Sequence, residues 1–159
     1  MIAEFFDNAP IVRVTGRLFP IVETTSNNME ESIIKLASEG HNVLAFVPGK
    51  YEITQITRNL RKLETLNASI FPLHADLSLE DQHSVFEPTP NSKIVIATNV
   101  AQTSITIPDI DAVVDSGLER HMAMVDGLET LTIGNISKSD RIQRMGRAGR
   151  TKPGTYVWT

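Results

Sequence analysis

The chain has 159 residues, 41% hydrophobic and 21% charged, with a net charge of −4 and no cysteine, which predicts one globular domain and excludes disulfides, thiolate catalysis and cysteine metal sites. No apolar run approaches the ~20 residues of a membrane span, and the N-terminus lacks the basic and apolar regions of a secretory signal. We therefore expect an intracellular protein, cytoplasmic or nuclear and not secreted, without a membrane partner, and the wide spacing of the four histidines predicts no metal site.

Strand-like and helix-like segments alternate along most of the chain. Continuous apolar runs indicate buried strands, and apolar residues at helical spacing behind capping residues indicate helices. In chain order the sequence predicts a strand at 11–14 that continues extended, a helix at 27–40, a strand at 42–47, a helix at 52–63, a strand at 68–74, a short helix at 78–86, and strands at 93–98 and 112–117. This alternation predicts βαβ units, hence a parallel sheet covered by helices.

Residues 118–133 break this pattern. Two β-rich runs flank Asp126-Gly127, a strong turn signal, so this stretch predicts a β-hairpin. The hairpin is either a functional appendage or a plain edge hairpin, and the pattern does not separate the two.

The segment SDRIQRMGRAGRTKPG, residues 139–154, gathers positive charge on an acidic chain. Residues 138–152 hold six basic side chains and one acid, so this window is +5 and the rest of the chain −9. Such a local cluster suggests a specific anion site rather than a surface that coats nucleic acid.

A helix is expected to start in this segment, because Ser137 and Asp140 have capping-box form. On a continuous helix Gln143, Arg147 and Arg150 would share one face. Glycines among them, Gly146 and Gly149, each cost about 1 kcal/mol in a helix interior, so we expect close approach of another backbone or of a ligand. Two guanidiniums and a carboxamide suit a phosphate; the alternative is an exposed, salt-bridged helix.

Several segments together resemble the superfamily 2 helicases of the DEAH/RHA type. QRMGRAGR (143–150) is similar to their motif VI, and residues 93–117 are similar to motif V. Residues 42–53 resemble motif IV, and 71–86 resemble the motif that follows it. GRLFPI (16–21) and ISK (136–138) also fit. The match is collinear and covers nearly the whole chain.

The resemblance implies an α/β fold: a RecA-like three-layer sandwich with a mainly parallel central sheet and an inserted β-hairpin, formed by residues 1–159 as a single second RecA-like domain. The family's P-loop and DExH box belong to a first RecA-like domain, and neither motif occurs in this chain. The implied function is part of an ATP-dependent RNA helicase, with the first RecA-like domain as partner. This chain alone is expected not to hydrolyse ATP, and Mg²⁺ is expected mainly on the other domain.

The resemblance also implies roles for individual residues near the nucleotide. Arg147 and Arg150 would contact the γ-phosphate as arginine fingers, and Gln143 would help to position the attacking water. Ser104 and Thr106 would lie toward the nucleotide and couple its state to RNA binding. Arg141 and Arg144 match no family contact, and a solvated or structural role is expected for them.

A second group of residues would bind RNA. Thr98 would hold a backbone phosphate with Asn99 nearby, since hydroxyls and backbone N–H groups grip phosphates without reading bases. Gly49 and Lys50 fall where the family has a loop that touches RNA, and His74 contacts the RNA backbone or is structural. The β-hairpin at 118–133 would help to separate or bend the nucleic-acid strand.

The segment departs from the family twice. Gln102 stands where motif V usually has Glu. Pro108 stands where many members have an Asp that contacts the ribose, and Asp109 is the next residue. Either Asp109 makes the ribose contact in this chain, or no residue does. Two alternatives to an RNA helicase are kept. One is a free-standing RecA-like module that binds nucleic acid without catalysis, and the other is part of a superfamily 2 motor that acts on DNA.

Overall fold

The computed structural model describes residues 19–103 and 105–159. The predicted strand at 11–14 lies outside these residues. The elements are β1 Ile21–Thr25, α1 Met29–Ser38, β2 Val43–Phe46, α2 Lys50–Arg61, β3 Ala68–Leu73, α3 Leu79–Ser84, β4 Ser92–Ala97, α4 Val100–Thr103, β5 Ala112–Asp115, β6 Leu118–Val125, β7 Leu128–Asn135, α5 Lys138–Gly146, a 3₁₀ turn Arg147–Gly149, and β8 Gly154–Trp158.

Six strands form one parallel sheet in the order β1-β8-β5-β2-β4-β3. Helices α1 and α2 bury their apolar sides against one face of the sheet, with Ile33 and Ile53 among the buried residues. The opposite face packs against α3, α4 and the 3₁₀ turn through residues such as Val85, Ala101 and Ala148. The strands β2, β4 and β5 are buried on both faces, which explains why their sequences are continuously apolar. The predicted parallel α/β sheet is confirmed.

Local signals explain the helix boundaries. Asn28 caps α1 by accepting a hydrogen bond from the Glu31 N–H, and Ser78 caps α3 in the same way. The prediction for α2 was displaced, because the helix begins at Lys50 directly after the Pro-Gly turn and ends at Arg61. Leu63, predicted to lie on its apolar face, is instead beyond the helix and exposed.

The predicted β-hairpin is confirmed as an antiparallel pair, β6 and β7, separate from the main sheet. Its turn is Asp126-Gly127, and both residues have positive φ, as a two-residue hairpin turn requires. Among the described residues, no helix has the length and hydropathy that are needed to cross a bilayer.

Candidate functional site

Three neighbouring strands, β3, β4 and β2, end at the same edge of the sheet, and a cleft of about 490 Å³ opens beyond them. Ligands of open parallel sheets bind at this carboxyl edge. All five residues predicted to bind RNA line this cleft: Gly49, Lys50, His74, Thr98 and Asn99. The structure therefore brings together residues that are up to 50 positions apart in the sequence.

Two of these residues have distinctive surroundings. The Lys50 ammonium pairs with the Asp76 carboxylate at 2.5 Å, and this hydrogen bond and the charge of Lys50 lower the pKa of Asp76. A phosphate entering the cleft would compete with Asp76 for Lys50. The Nδ1 atom of His74 is buried and has no hydrogen-bond partner among the described residues, which fits an unfilled polar site.

The base of the hairpin forms another wall of the cleft. Glu119, Arg120 and Leu131 line it, and Glu119 and Arg120 lie at the base of the hairpin, far from its turn. Arg120 lies so close to Gly49 that a Cβ there would collide with its guanidinium. Its guanidinium also lies 3.7 Å from Glu52. Counting back along β6 from the Asp126-Gly127 turn would have indicated this position.

The arginine segment, residues 139–154, differs from its prediction in one respect. Helix α5 starts as predicted, with the Ser137 hydroxyl accepting from the Asp140 N–H. It ends at Gly146, however, and Arg147–Gly149 continue as a 3₁₀ turn, so the predicted single helical face of Gln143, Arg147 and Arg150 is wrong. Gln143 and Arg150 are exposed, whereas Arg147 is only 7% exposed.

The physical reason for the tighter turn is the packing of its end beneath β1. Gly149 is buried, its carbonyl accepts a hydrogen bond from the Phe19 N–H at 2.7 Å, and a Cβ there would lie 2.8 Å from the Phe19 carbonyl oxygen. Gly149 therefore permits close approach of another backbone. This contact gives no support to the expectation that Gly149 lets a phosphate approach.

Replacing Gly149 by Ala should destabilise the fold, because the added methyl group meets backbone that cannot rotate away. Overpacking of this kind costs typically 1–3 kcal/mol. Denaturant unfolding of the two proteins measures the difference. Gly127→Ala is an informative comparison, since open space surrounds Gly127 and only its positive φ opposes the change. Equal midpoints for Gly149→Ala and the unmodified protein would contradict the packing argument.

Arg147 connects the arginine segment to the motif V segment, residues 93–117. Its guanidinium donates one hydrogen bond to the Thr106 hydroxyl at 2.7 Å and another to the Gln102 carbonyl oxygen. Its Nε atom is buried without a partner among the described residues. Burial, and then the neighbouring charge of Arg150, lower the pKa of Arg147, as expected for two cations that lack a local counter-ion.

Arg144 forms the buried centre of the segment. It is fully buried, donates to the Asp115 carboxylate at 2.8 Å, and stacks over the Phe46 ring. The Tyr156 hydroxyl donates to the other Asp115 oxygen at 2.6 Å, and burial and this carboxylate raise the pKa of Tyr156. Arg144 is therefore structural. Arg141 is structural in part, since it contacts Glu23 and stacks over the Trp158 ring.

Gln102 joins these parts through its side-chain amide. The oxygen accepts from Arg144 Nε at 2.9 Å, and the nitrogen donates to Asp140 at 2.7 Å and to the Gln143 oxygen at 3.0 Å. A carboxylate could not donate these last two bonds. The Gln143 oxygen accepts one of these bonds, whereas its NH₂ group donates to no described residue, so the NH₂ group can face a ligand. Sequence reasoning noted Gln102 only as a departure and missed this role.

Two predictions on the motif V segment end differently. Ser104 lies outside the described residues, whereas Thr106 is held by Arg147. Asp109, considered for a ribose contact, instead binds the fully buried ammonium of Lys93 at 2.9 Å. This pairing supports a structural role for Asp109.

Comparison with known proteins shows the family to which the chain belongs. The model of the helicase conserved C-terminal domain matches residues 26–152, which is most of the chain. The chain belongs to the helicase conserved C-terminal domain family. Together with the relatives and the solved structure described next, this match confirms the resemblance to the DEAH/RHA helicases and the RecA-like fold.

Relatives of this helicase C-terminal domain are longer proteins. The chain is 35% identical to the ATP-dependent RNA helicase HrpA of Escherichia coli over 169 residues, which covers 96% of the chain and 13% of that protein. It is 40% identical to the ATP-dependent RNA helicase DHX33 of Drosophila melanogaster over 161 residues, covering 88% of the chain and 23% of the relative. The chain thus spans less than a quarter of the length of these relatives.

A solved structure agrees in fold. The crystal structure of the Escherichia coli DEAH/RHA helicase HrpB superimposes on this helicase C-terminal domain with a TM-score of 0.83 at 30% identity. The match covers 99% of the chain and 22% of that protein. The six-stranded parallel sheet and the arrangement of its helices are therefore shared with known helicases.

Proposed function

We propose that this chain is the second RecA-like domain of an ATP-dependent RNA helicase, and that it supplies arginine fingers and part of the RNA-binding surface. The observation that carries the proposal is the cationic pair Arg147 and Arg150 beside the motif V segment. Neither forms an ion pair with a described residue, and no described residue is a hydrogen-bond partner of the buried Arg147 Nε. Two adjacent guanidiniums without a counter-ion suit the charged oxygens of a nucleotide phosphate.

The two arginines would act differently. Arg150 is exposed, so it is available to reach a γ-phosphate and to stabilise the charge that develops during hydrolysis. Arg147 already holds Thr106 and the Gln102 carbonyl. If Arg147 turned toward the phosphate, it would release these motif V contacts, and the nucleotide state would thereby be communicated to the RNA cleft. Gln143 would present its NH₂ group to the same phosphate or to the oxygen of the attacking water.

The RNA cleft supports the second half of the proposal. It gathers a hydroxyl, an amide, an ammonium and an imidazole from Thr98, Asn99, Lys50 and His74. These groups suit phosphate oxygens and sugar hydroxyls, so the cleft would position a strand without reading its sequence. The relatives whose names say that they are ATP-dependent RNA helicases favour RNA over DNA as the ligand.

Mg²⁺ does not fit this part of the site. Within the described residues no group of three or more His, Asp or Glu side chains could hold a metal ion. The residues that would face the phosphate are cations and amides. We therefore propose that the metal is held mainly by the first RecA-like domain, whereas this chain contributes positive charge.

Replacing Thr98 by Val should weaken stimulation by RNA and leave basal ATP hydrolysis intact, because it removes a phosphate-binding hydroxyl outside the arginine segment. A hydrogen bond to a charged group contributes ~1.5–3 kcal/mol, so the RNA concentration for half-maximal stimulation should rise about tenfold or more. The measurement is ATPase activity against RNA concentration, in an enzyme that joins this chain to a P-loop domain. Thr24→Val on β1 is the matched control. An unchanged RNA dependence would refute the assignment of Thr98.

A further inference from the structure

A second groove, of about 550 Å³, lies between α2 and the end of the edge strand β3. Three exposed cations, Arg58, Arg61 and Lys62, line it along α2, and no acidic residue is among the residues that line it. The sequence alone predicts only that these residues belong to a helix at 52–63 or adjoin it. The structure places them around one concave surface.

The cations of this groove differ from most of the others in the described part of the chain. Seven described lysines and arginines form ion pairs with acids, whereas Arg58, Arg61 and Lys62 form none with a described residue. The same is true of Lys138 at the start of α5, and of Arg147 and Arg150, which we assign to the nucleotide. A solvated helix face would be expected to include acidic neighbours at i, i+4 spacing, and these positions lack such neighbours.

The walls of the groove also contain polar atoms without partners. Thr57 is 6% exposed, and its hydroxyl oxygen has no hydrogen-bond partner among the described residues. His74 lines this groove too, and its Nδ1 atom is buried and unpartnered in the same way. Buried polar atoms are rarely left unsatisfied in folded proteins. Their presence beside three unpaired cations points to an anionic ligand.

We propose that this groove binds a further stretch of the RNA phosphate backbone, continuous with the strand held in the cleft at the edge of the sheet. The proposal rests on the proposed function, since it extends the path of the same RNA. His74 lines both the cleft and the groove, so the two surfaces meet at this side chain. An RNA strand that leaves the cleft past His74 would pass along α2 toward Arg58 and Arg61.

The dimensions suit a short continuation of the strand. From Lys50 to Arg61 the helix rises ~16 Å, which is long enough for a few successive backbone phosphates of a single RNA strand. Arginines at i and i+3, such as Arg58 and Arg61, lie side by side on a helix, so both could contact neighbouring phosphates. The contacts would carry no sequence preference, because they reach only the backbone.

The test compares the double variant Arg58→Ala/Arg61→Ala with the control Lys35→Ala/Lys138→Ala, which removes the same charge from exposed positions outside the groove. Binding of oligouridine of about 5 and about 12 nucleotides to the 159-residue chain is measured over a range of salt concentrations. For the long RNA, the groove variant should bind about tenfold more weakly, and its salt slope should fall by ~1.4, since each phosphate contact contributes ~0.7 on a single strand. The short RNA should bind the groove variant and the control equally, which also shows that the variant is folded.

The outcomes separate this proposal from the one on which it rests. If neither RNA binds the unmodified chain, the proposed RNA-binding function fails, and the groove assignment fails with it. If the short RNA binds but the groove variant matches the control on the long RNA, only the groove assignment is overturned. Polyglutamate is the competing probe. Binding of polyglutamate that is lost in the groove variant, with long-RNA binding unchanged, would assign the groove to an acidic protein segment and overturn the RNA proposal.

Discussion

Replacing Arg150 by Ala should lower the kcat of ATP hydrolysis by ~10³ or more, as for other arginine fingers, in an enzyme that joins this chain to a P-loop domain. Arg150 is exposed and has no ion pair with a described residue, so we expect its removal to leave the fold intact. The loss should therefore appear in kcat, because the arginine acts on charge that develops in the transition state. Steady-state kinetics with saturating RNA measures it.

Two further variants sharpen this test. Lys138→Ala removes one charge from an exposed position at the start of α5 and should leave turnover unchanged. Arg147→Ala should lower kcat similarly and should also reduce the response to RNA, because it additionally releases Thr106 and the Gln102 carbonyl. Near-normal turnover of the Arg150 variant would refute its role as an arginine finger.

Replacing Arg144 by Ala should destabilise the chain by about 3–5 kcal/mol, the range for breaking a buried ion pair by removing one partner. The change leaves the buried Asp115 carboxylate with the Tyr156 hydroxyl and the Gly117 N–H, but without its cation. It also removes the side chain that stacks over Phe46 and binds Gln102. Guanidinium unfolding of the purified chain measures the loss.

A double-mutant cycle separates the charge from the packing. Arg144→Met fills part of the same volume without charge, and Asp115→Asn removes the negative charge while keeping the shape. If the uncompensated charge dominates, the double variant should be more stable than Arg144→Met alone, because neither charge then remains buried without its partner. A double variant that loses the sum of both single effects would contradict this explanation.

Much of the fold follows from local patterns in the sequence. Continuous apolar runs identified β2 and β4, and Asn28 and Ser78 marked the starts of helices by side chains that do cap them. The α5 start was predicted in the same way from Ser137. These features depend on neighbours within four residues, which is why one sequence was sufficient to predict them.

The end of α5 and the burial of Arg144 could not be predicted from such local patterns. The 3₁₀ turn forms because Gly149 packs against the Phe19 backbone, 130 residues earlier in the chain. Arg144 is fully buried because Asp115 comes from a distant strand, whereas a charged residue in a basic run is usually solvated. Both depend on tertiary contacts, so no local spacing rule distinguishes Arg144 from Arg150.

The position of β8 in the sheet has a consequence for how the chain folds. β1 pairs with β8, so Ile21 meets Gly154, a residue that the ribosome adds more than 130 positions later. Pairing of such distant segments is slow, because the loop between them must close first. The 3₁₀ turn that carries Arg147 packs between these late partners, beneath Phe19 and beside Gly154. We therefore expect Arg147 and Arg150, the proposed arginine fingers, to be positioned only in the last stage of folding, after translation has passed β8.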